Sequence, residues 1–281
     1  MRRKILLSVA AAALAVLILA VLAIAGVLPG TGPRLTILMY HHIVADGEPV
    51  NGMTITAGRF EEDMCWLNEH GYTTVLPREL AGGEPLPEKA VLITFDDGYA
   101  SNYNYAFPVL QRLDMKAAIA VVGVLVDSDS EAFLTWDMCR EMTRSGLIEI
   151  GSHSYNLHNL DERDGLYVEG ASNGIQHLEG ESREEFDARV LSDLQRSIDE
   201  IEEQLNTPVT YLAYPFGLTE PWAGEYITEH FSLTVTTQEG AANLSGGLYD
   251  LPRRTVSMER PMDKCFRPIQ GLIDLAHSIL G

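Results

Sequence analysis

Ala90-Val91-Leu92-Ile93-Thr94-Phe95-Asp96-Asp97-Gly98-Tyr99 runs from an unbroken apolar stretch into two adjacent carboxylates and a glycine. Continuous apolar character, where a half-exposed strand would alternate, marks a strand buried on both faces. The run stops where Asp96, Asp97 and Gly98 permit a sharp turn. The same pattern recurs at Leu35 to Met39, Ala117 to Val122, Leu147 to Ile150, Val209 to Ala213 and Phe231 to Val235. Between these runs, apolar residues fall at helical spacing: Phe60, Met64 and Leu67; Trp136, Met138 and Met142, with Thr135 as a cap; and Phe186, Val190, Leu194, Ile198, Ile201 and Leu205, stopped by Asn206-Thr207-Pro208. Strand–helix alternation of this kind predicts an α/β fold on a parallel sheet, open or closed into a barrel, with the chemistry in loops at the carboxyl ends of the strands. The polar, poorly periodic segment 160–185 reads as a long loop near the site.

The 281 residues hold 20 Lys and Arg against 40 Asp and Glu, a formal charge of −20. Phosphate backbones need clustered cations, so this balance argues against a nucleic-acid partner. Cys65, Cys139 and Cys265 are far apart and form no Cys-x-x-Cys, so neither a disulfide framework nor a thiolate zinc site is expected. At the amino terminus Arg2-Arg3-Lys4 precede Ile5 to Leu28, which carry no charge and only Ser8 as a hydroxyl. As a helix this run reaches about 36 Å, enough for a hydrocarbon core of about 30 Å. With the basic flank kept in the cytoplasm, the expected organisation is a cytoplasmic segment 1–4, a transmembrane anchor 5–28, a linker 29–33 and an external domain 34–281. The alternative is a cleaved signal peptide ending near Ala23-Ile24-Ala25.

Asp96 and Asp97 alone would fit turn chemistry, since Asp and Gly dominate turns. Side by side at a buried strand end, however, two carboxylates repel unless a cation intervenes. A metal bound by one, with the other left free as a base, relieves this. A second strand end, Gly151-Ser152-His153-Ser154-Tyr155-Asn156-Leu157-His158, supplies two histidines five residues apart, which converge only around a turn. Two neutral imidazoles and a carboxylate make a three-ligand site with open positions, the form of catalytic rather than structural zinc.

Thr94-Phe95-Asp96-Asp97-Gly98-Tyr99 followed by His153-Ser154-x-x-x-His158 resembles the NodB-type polysaccharide deacetylases, carbohydrate esterase family 4. Leu38-Met39-Tyr40-His41-His42-Ile43 resembles their opening strand, Gly71-Tyr72 a second strand entry, and Tyr214-Pro215-Phe216-Gly217 a third motif. The resemblance implies a distorted (β/α)7-type barrel and metal-dependent removal of acetyl groups from N-acetylated sugar polymers. It makes Asp96 the catalytic base and Asp97, His153 and His158 the ligands of a divalent ion: Zn2+, or Co2+, Ni2+ or Fe2+. The backbone N–H of Phe216 would help bind the oxyanion.

Three features depart from the commonest family pattern. The histidine spacing is similar to that of exported poly-β-1,6-N-acetylglucosamine deacetylases of biofilm systems, which makes an N-acetylglucosamine polymer the expected partner. Ala213 stands where an arginine usually orients the base, and Arg253 in Leu251-Pro252-Arg253-Arg254 is the candidate to supply that charge. The segment Leu272-Ile273-Asp274-Leu275-Ala276-His277 only loosely resembles the motif that carries the acid histidine and reads as an amphipathic terminal helix; the biofilm branch instead nominates His41. Tyr99, Tyr155 and Tyr214 are candidates for substrate contact, with packing the alternative, while Trp136 reads as core. Other readings left open are a peptidoglycan deacetylase, a non-catalytic carbohydrate-binding relative, and a hydrolase of small amides, which would need a closed pocket.

Overall fold

The computed structural model describes residues 34–128, 130–158 and 174–266. The segments 1–33, 159–173 and 267–281, which include the expected anchor, part of the expected 160–185 loop and the expected amphipathic terminal segment, lie outside the described residues. Among the described residues, no helix is long and apolar enough to cross a membrane.

The described residues form eleven strands: β1 (Arg34–Tyr40), β2 (His42–Val44), β3 (Thr54–Thr56), β4 (Thr73–Thr74), β5 (Ala90–Phe95), β6 (Ala117–Val121), β7 (Ile148–Ser152), β8 (Tyr211–Ala213), β9 (Leu233–Glu239), β10 (Ala242–Asn243) and β11 (Leu251–Thr255). Parallel pairing runs β1-β5-β6-β7-β8-β9-β11 and returns from β11 to β1, closing a seven-stranded barrel. The first and last strands are therefore neighbours, with Leu38 opposite Arg254 on one side of β1 and Ile93 on the other. β4 extends the sheet beside β5, β10 runs antiparallel against the start of β1, and β2 and β3 form a separate pair.

Both strand faces are buried, as the unbroken apolar runs require. Alternate residues Leu35, Ile37, Leu92, Ala118, Ala120, Tyr211, Ala213, Leu233 and Val235 fill the inside of the barrel. The intervening Leu38, Tyr40, Val91, Ile93, Phe95, Ile119 and Val121 face outward and pack with helical residues such as Phe60, Met64, Cys139, Leu194 and Ile201. The interior is tight: a Cβ added to Gly151 would meet the Tyr211 ring at 2.3 Å.

The helices follow the expected stripes. Ala57–Glu69 is capped by Thr56, whose side chain accepts from Arg59 N, and Trp136–Arg144 by Thr135, accepting from Met138 N. The expected single helix from Phe186 to Leu205 is instead interrupted: a turn at Arg183–Phe186 and a π-helical turn at Asp187–Leu191 lead into Ser192–Leu205, which ends at Asn206 in the left-handed region (φ 52°). The expected Phe231 to Val235 strand begins later, at Leu233, because Phe231 N–H still closes the preceding helix on Ile227 O. β11 was not an expected strand, because its Pro-Arg-Arg core lacks the apolar signature. Trp136 is half-buried and packs against the edge of the main core, its indole donating to Asp127.

Candidate active site

The carboxyl ends of β1, β5, β7, β8 and β11 converge on one polar cluster. β5 delivers Thr94 and Asp96 to the inside of the barrel, and the chain turns sharply at Asp97 (φ 72°) and Gly98 (φ 77°). A side chain at position 98 would press on Val121 at 3.0 Å, so the turn needs glycine for both conformation and space.

Asp96 is held by Arg253 from β11. Nη1 donates to Oδ1 at 2.7 Å and Nη2 to Oδ2 at 2.6 Å, while Nε donates to Thr236 O and Nη1 also reaches Thr94 Oγ1. Burial by itself would raise the Asp96 carboxyl, but the charge and hydrogen bonds of Arg253 outweigh it and hold the group well below the usual carboxylate range. His41, just past β1, places Nε2 at 3.9 Å from Asp96 Oδ2.

Asp97, His153 and His158 present one ligand atom each within 4.8 Å of one another. His153 Nδ1–H donates to Ala213 O at 2.7 Å, which fixes the tautomer and leaves Nε2 as the unprotonated atom, 3.5 Å from Asp97 Oδ1. His158 Nε2 lies 3.7 Å from the same oxygen. These separations are too long for good hydrogen bonds, and Asp97 Oδ1 is buried with no hydrogen-bond partner among the described residues. A buried carboxylate oxygen facing two imidazole nitrogens across a gap fits a divalent cation. Burial pushes the His153 and His158 imidazoles down to about 4, so both are neutral at ordinary pH, and it raises the Asp97 carboxyl.

Phe216 sits beside this cluster at φ 58°, its ring stacked on His158 at 4.3 Å and 40% exposed. Two of the three tyrosines expected near substrate are placed elsewhere. Tyr214 is buried in the outer core with its hydroxyl toward Thr234 and Asp250, leaving no face for a sugar. Tyr155 is 7% exposed; its hydroxyl donates to Asp127 and accepts from Arg196. Tyr99 is half-buried, packed against the rings of His42 and Phe133. Of the cysteines, Cys139 and Cys265 are buried and Cys65 is half-buried.

The sequence reading did not single out Asp193 and Ser197, which bind the loop carrying the two histidines. The available signal was Ser197, a polar residue inside the apolar stripe of the helix Ser192–Leu205.

The family model for polysaccharide deacetylase matches residues 83–230. Poly-beta-1,6-N-acetyl-D-glucosamine N-deacetylase of Escherichia coli (strain K12) is 30% identical over 240 residues, an alignment covering 77% of this chain and 35% of that protein. The chain thus spans about a third of the length of that relative. YxkH of Bacillus subtilis (strain 168), named as a polysaccharide deacetylase, is 32% identical over 228 residues, covering 80% of this chain and 72% of its own. Among solved structures, IcaB from Ammonifex degensii (29% identity, TM-score 0.68) and the Streptococcus pyogenes deacetylase PplD in complex with acetate (26% identity, TM-score 0.68) each align over 83% of this chain and 96% of theirs. With the motif matched, the barrel shared and the ligand set gathered at one rim, the chain belongs to the polysaccharide deacetylase family.

Proposed function

We propose that this chain hydrolyses the acetamido groups of an N-acetylglucosamine-containing polysaccharide, releasing acetate and leaving a free amine. The observation that carries the reading is a buried Asp97–His153–His158 ligand set beside a second aspartate, Asp96, that a buried arginine keeps ionised. The name of the Escherichia coli relative supports the polymer.

Asp97, His153 and His158 would hold a divalent ion, which when bound supplies Lewis-acid polarisation of the acetyl carbonyl and a more acidic water. Zn2+ suits this donor set; Co2+, Ni2+ and Fe2+ suit it as well. Asp96, anionic throughout the working range, takes the proton of the water that attacks the carbonyl carbon. Arg253 keeps both oxygens of that carboxylate in register. The C–N bond then breaks, and His41, 3.9 Å from Asp96, gives the nitrogen its proton so that it leaves as an amine rather than an amide anion. The Phe216 N–H serves the developing oxyanion, a role for which one donor is worth about 3 kcal/mol. The exposed Phe216 ring offers an apolar face to the acetyl group or sugar.

The charge-free run Ile5 to Leu28 behind three basic residues supports an anchor that places the domain outside the cell, in reach of such a polymer. Peptidoglycan is the second substrate reading. The deciding experiment offers β-1,6-linked, β-1,4-linked and peptidoglycan-derived N-acetylated oligomers to protein loaded with Zn2+ or Co2+. Acetate release that chelator abolishes is expected, with the β-1,6 oligomer preferred. Chelator-insensitive release would remove the metal from the reading, and binding without release would leave a carbohydrate-binding relative.

A further inference from the structure

His153 and His158 lie at the end of β7 and on the turn that follows it, so something outside their own backbone has to fix their separation. Part of the support comes from the next loop of the barrel: His153 N donates to Val121 O, while Ser154 O and Tyr155 O accept from Gly123 N and Val124 N. The rest comes from the helix Ser192–Leu205. Asp193 accepts Tyr155 N on Oδ1 and Asn156 N on Oδ2, both at 2.8 Å. One turn further along the helix, Ser197 Oγ pairs with Ser152 Oγ at 2.8 Å, and Ser152 Oγ accepts Ser154 N. Ser154 has φ 72°, a conformation unfavourable for serine, and its own Oγ accepts Leu157 N.

Residues four apart on a helix share a face, so one helical face holds the histidine loop at two points. Ser197 acts just before His153, and Asp193 acts midway between His153 and His158. The chemistry at the second point is specific. A carboxylate only accepts, and here it takes one N–H on each oxygen; an amide would keep one acceptor and turn its own NH2 toward the other N–H.

We propose that Asp193 is a positioning residue for the metal site, holding residues 155–156 so that the His153 and His158 Nε2 atoms face Asp97 Oδ1 together. The inference rests on the reading of those three residues as metal ligands. Second-layer partners of this kind change metal affinity about 10–100-fold when removed.

The test uses the full chain, the variants Asp193→Asn and Ser197→Ala, and Zn2+ and Co2+ alone as probes. Zn2+ affinity is read by competition with a chromogenic chelator, Co2+ geometry by its visible absorption, and melting temperature with and without metal. Asp193→Asn should bind Zn2+ about 10–100-fold more weakly. It should also alter the Co2+ spectrum and show a smaller rise in melting temperature on metal addition than wild type. A lower melting temperature with affinity, spectrum and metal-induced rise unchanged would mean that Asp193 merely stabilises the fold, and overturns the proposal. Should Asp193→Asn not fold, Ser197→Ala reads the clamp from its other end: weakened affinity supports it and wild-type affinity overturns it. If the wild-type chain itself binds neither ion, the ligand reading fails first, and this inference falls with it.

Discussion

Arg253 grips both oxygens of Asp96 inside the barrel, Nη2 lying 2.6 Å from Oδ2, with the two side chains 0% and 2% exposed. Breaking such a pair from one side strands a charge in the interior, at a cost of about 3–5 kcal/mol. Arg253→Met should therefore lower the denaturation midpoint sharply and reduce turnover at least 100-fold. Arg253→Lys keeps the charge but cannot span both oxygens, so it should recover part of the stability and little of the rate. Urea denaturation and acetate-release assays on the two variants separate these effects.

The two adjacent aspartates should behave differently. Asp96→Asn leaves Asp97, His153 and His158 in place, so metal content should stay near wild type while turnover falls about 10²–10⁴-fold. Asp97→Ala removes a ligand atom and should lose the metal itself. Metal analysis after gel filtration, beside the rate assay, reads both.

His41→Ala should spare metal binding and slow deacetylation of an N-acetylated sugar about 100-fold or more. An aryl acetate ester, whose leaving group departs without a proton, should be hydrolysed at close to the wild-type rate. Equal loss on both substrates would assign His41 a structural role.

In the metal-free chain His153 and His158 should contribute less stability as the pH falls from about 6.5 toward 4. Burial holds the His153 and His158 imidazoles at about 4 in the folded state, so in this window the unfolded chain takes up protons that the native chain does not. The two imidazoles therefore contribute stability that rises with pH across the window and levels off above it. This contribution is opposed in the same window by Asp63 and Asp193, which burial raises to about 6, and by the raised Asp97 and Glu149 carboxyls, all of which the native chain protonates before the unfolded chain does. Denaturation midpoints of wild type and His158→Gln, measured with chelator at several pH values, isolate this contribution: the stability of wild type relative to the variant should fall as the pH falls through the window.

Gly217→Ala should be poorly tolerated. Its φ is 70°, and a Cβ there would meet Thr237 Oγ1 at 2.1 Å and Thr237 N at 2.4 Å. The strain, about 1–3 kcal/mol, would displace the neighbouring Phe216, so the Michaelis constant for polymer should rise together with the loss of stability.

Asp96, Asp97, His153, His158 and Phe216 stand out in the sequence because each lies at or just beyond the end of an apolar strand. All five also fall within residues 83–230, the span that matches the family. His41 and Arg253 lie outside that span. Arg253 belongs to a strand whose Pro-Arg-Arg core resembles a solvated charged pair, and only barrel closure turns it inward toward Asp96. Tyr214 shows the converse limit. Its position beside Pro215 and Phe216 suggested a sugar contact, yet strand periodicity points it to the outer core, a face that local sequence leaves ambiguous. Asp193 escaped notice because its partners are backbone N–H groups more than thirty positions away, which leave no trace in side-chain patterning.

Because β1 pairs with β5 on one side and β11 on the other, His41 and Asp96 meet the counter-charge Arg253 from a distant part of the polypeptide. A nascent chain emerging from its amino end carries Asp96 about 150 residues before Arg253 exists to neutralise it. Sealing the barrel and silencing that charge are consequently a single late event. Any product truncated before residue 253 should be both inert and unable to close, which ties the enzyme's activity to completion of its own synthesis.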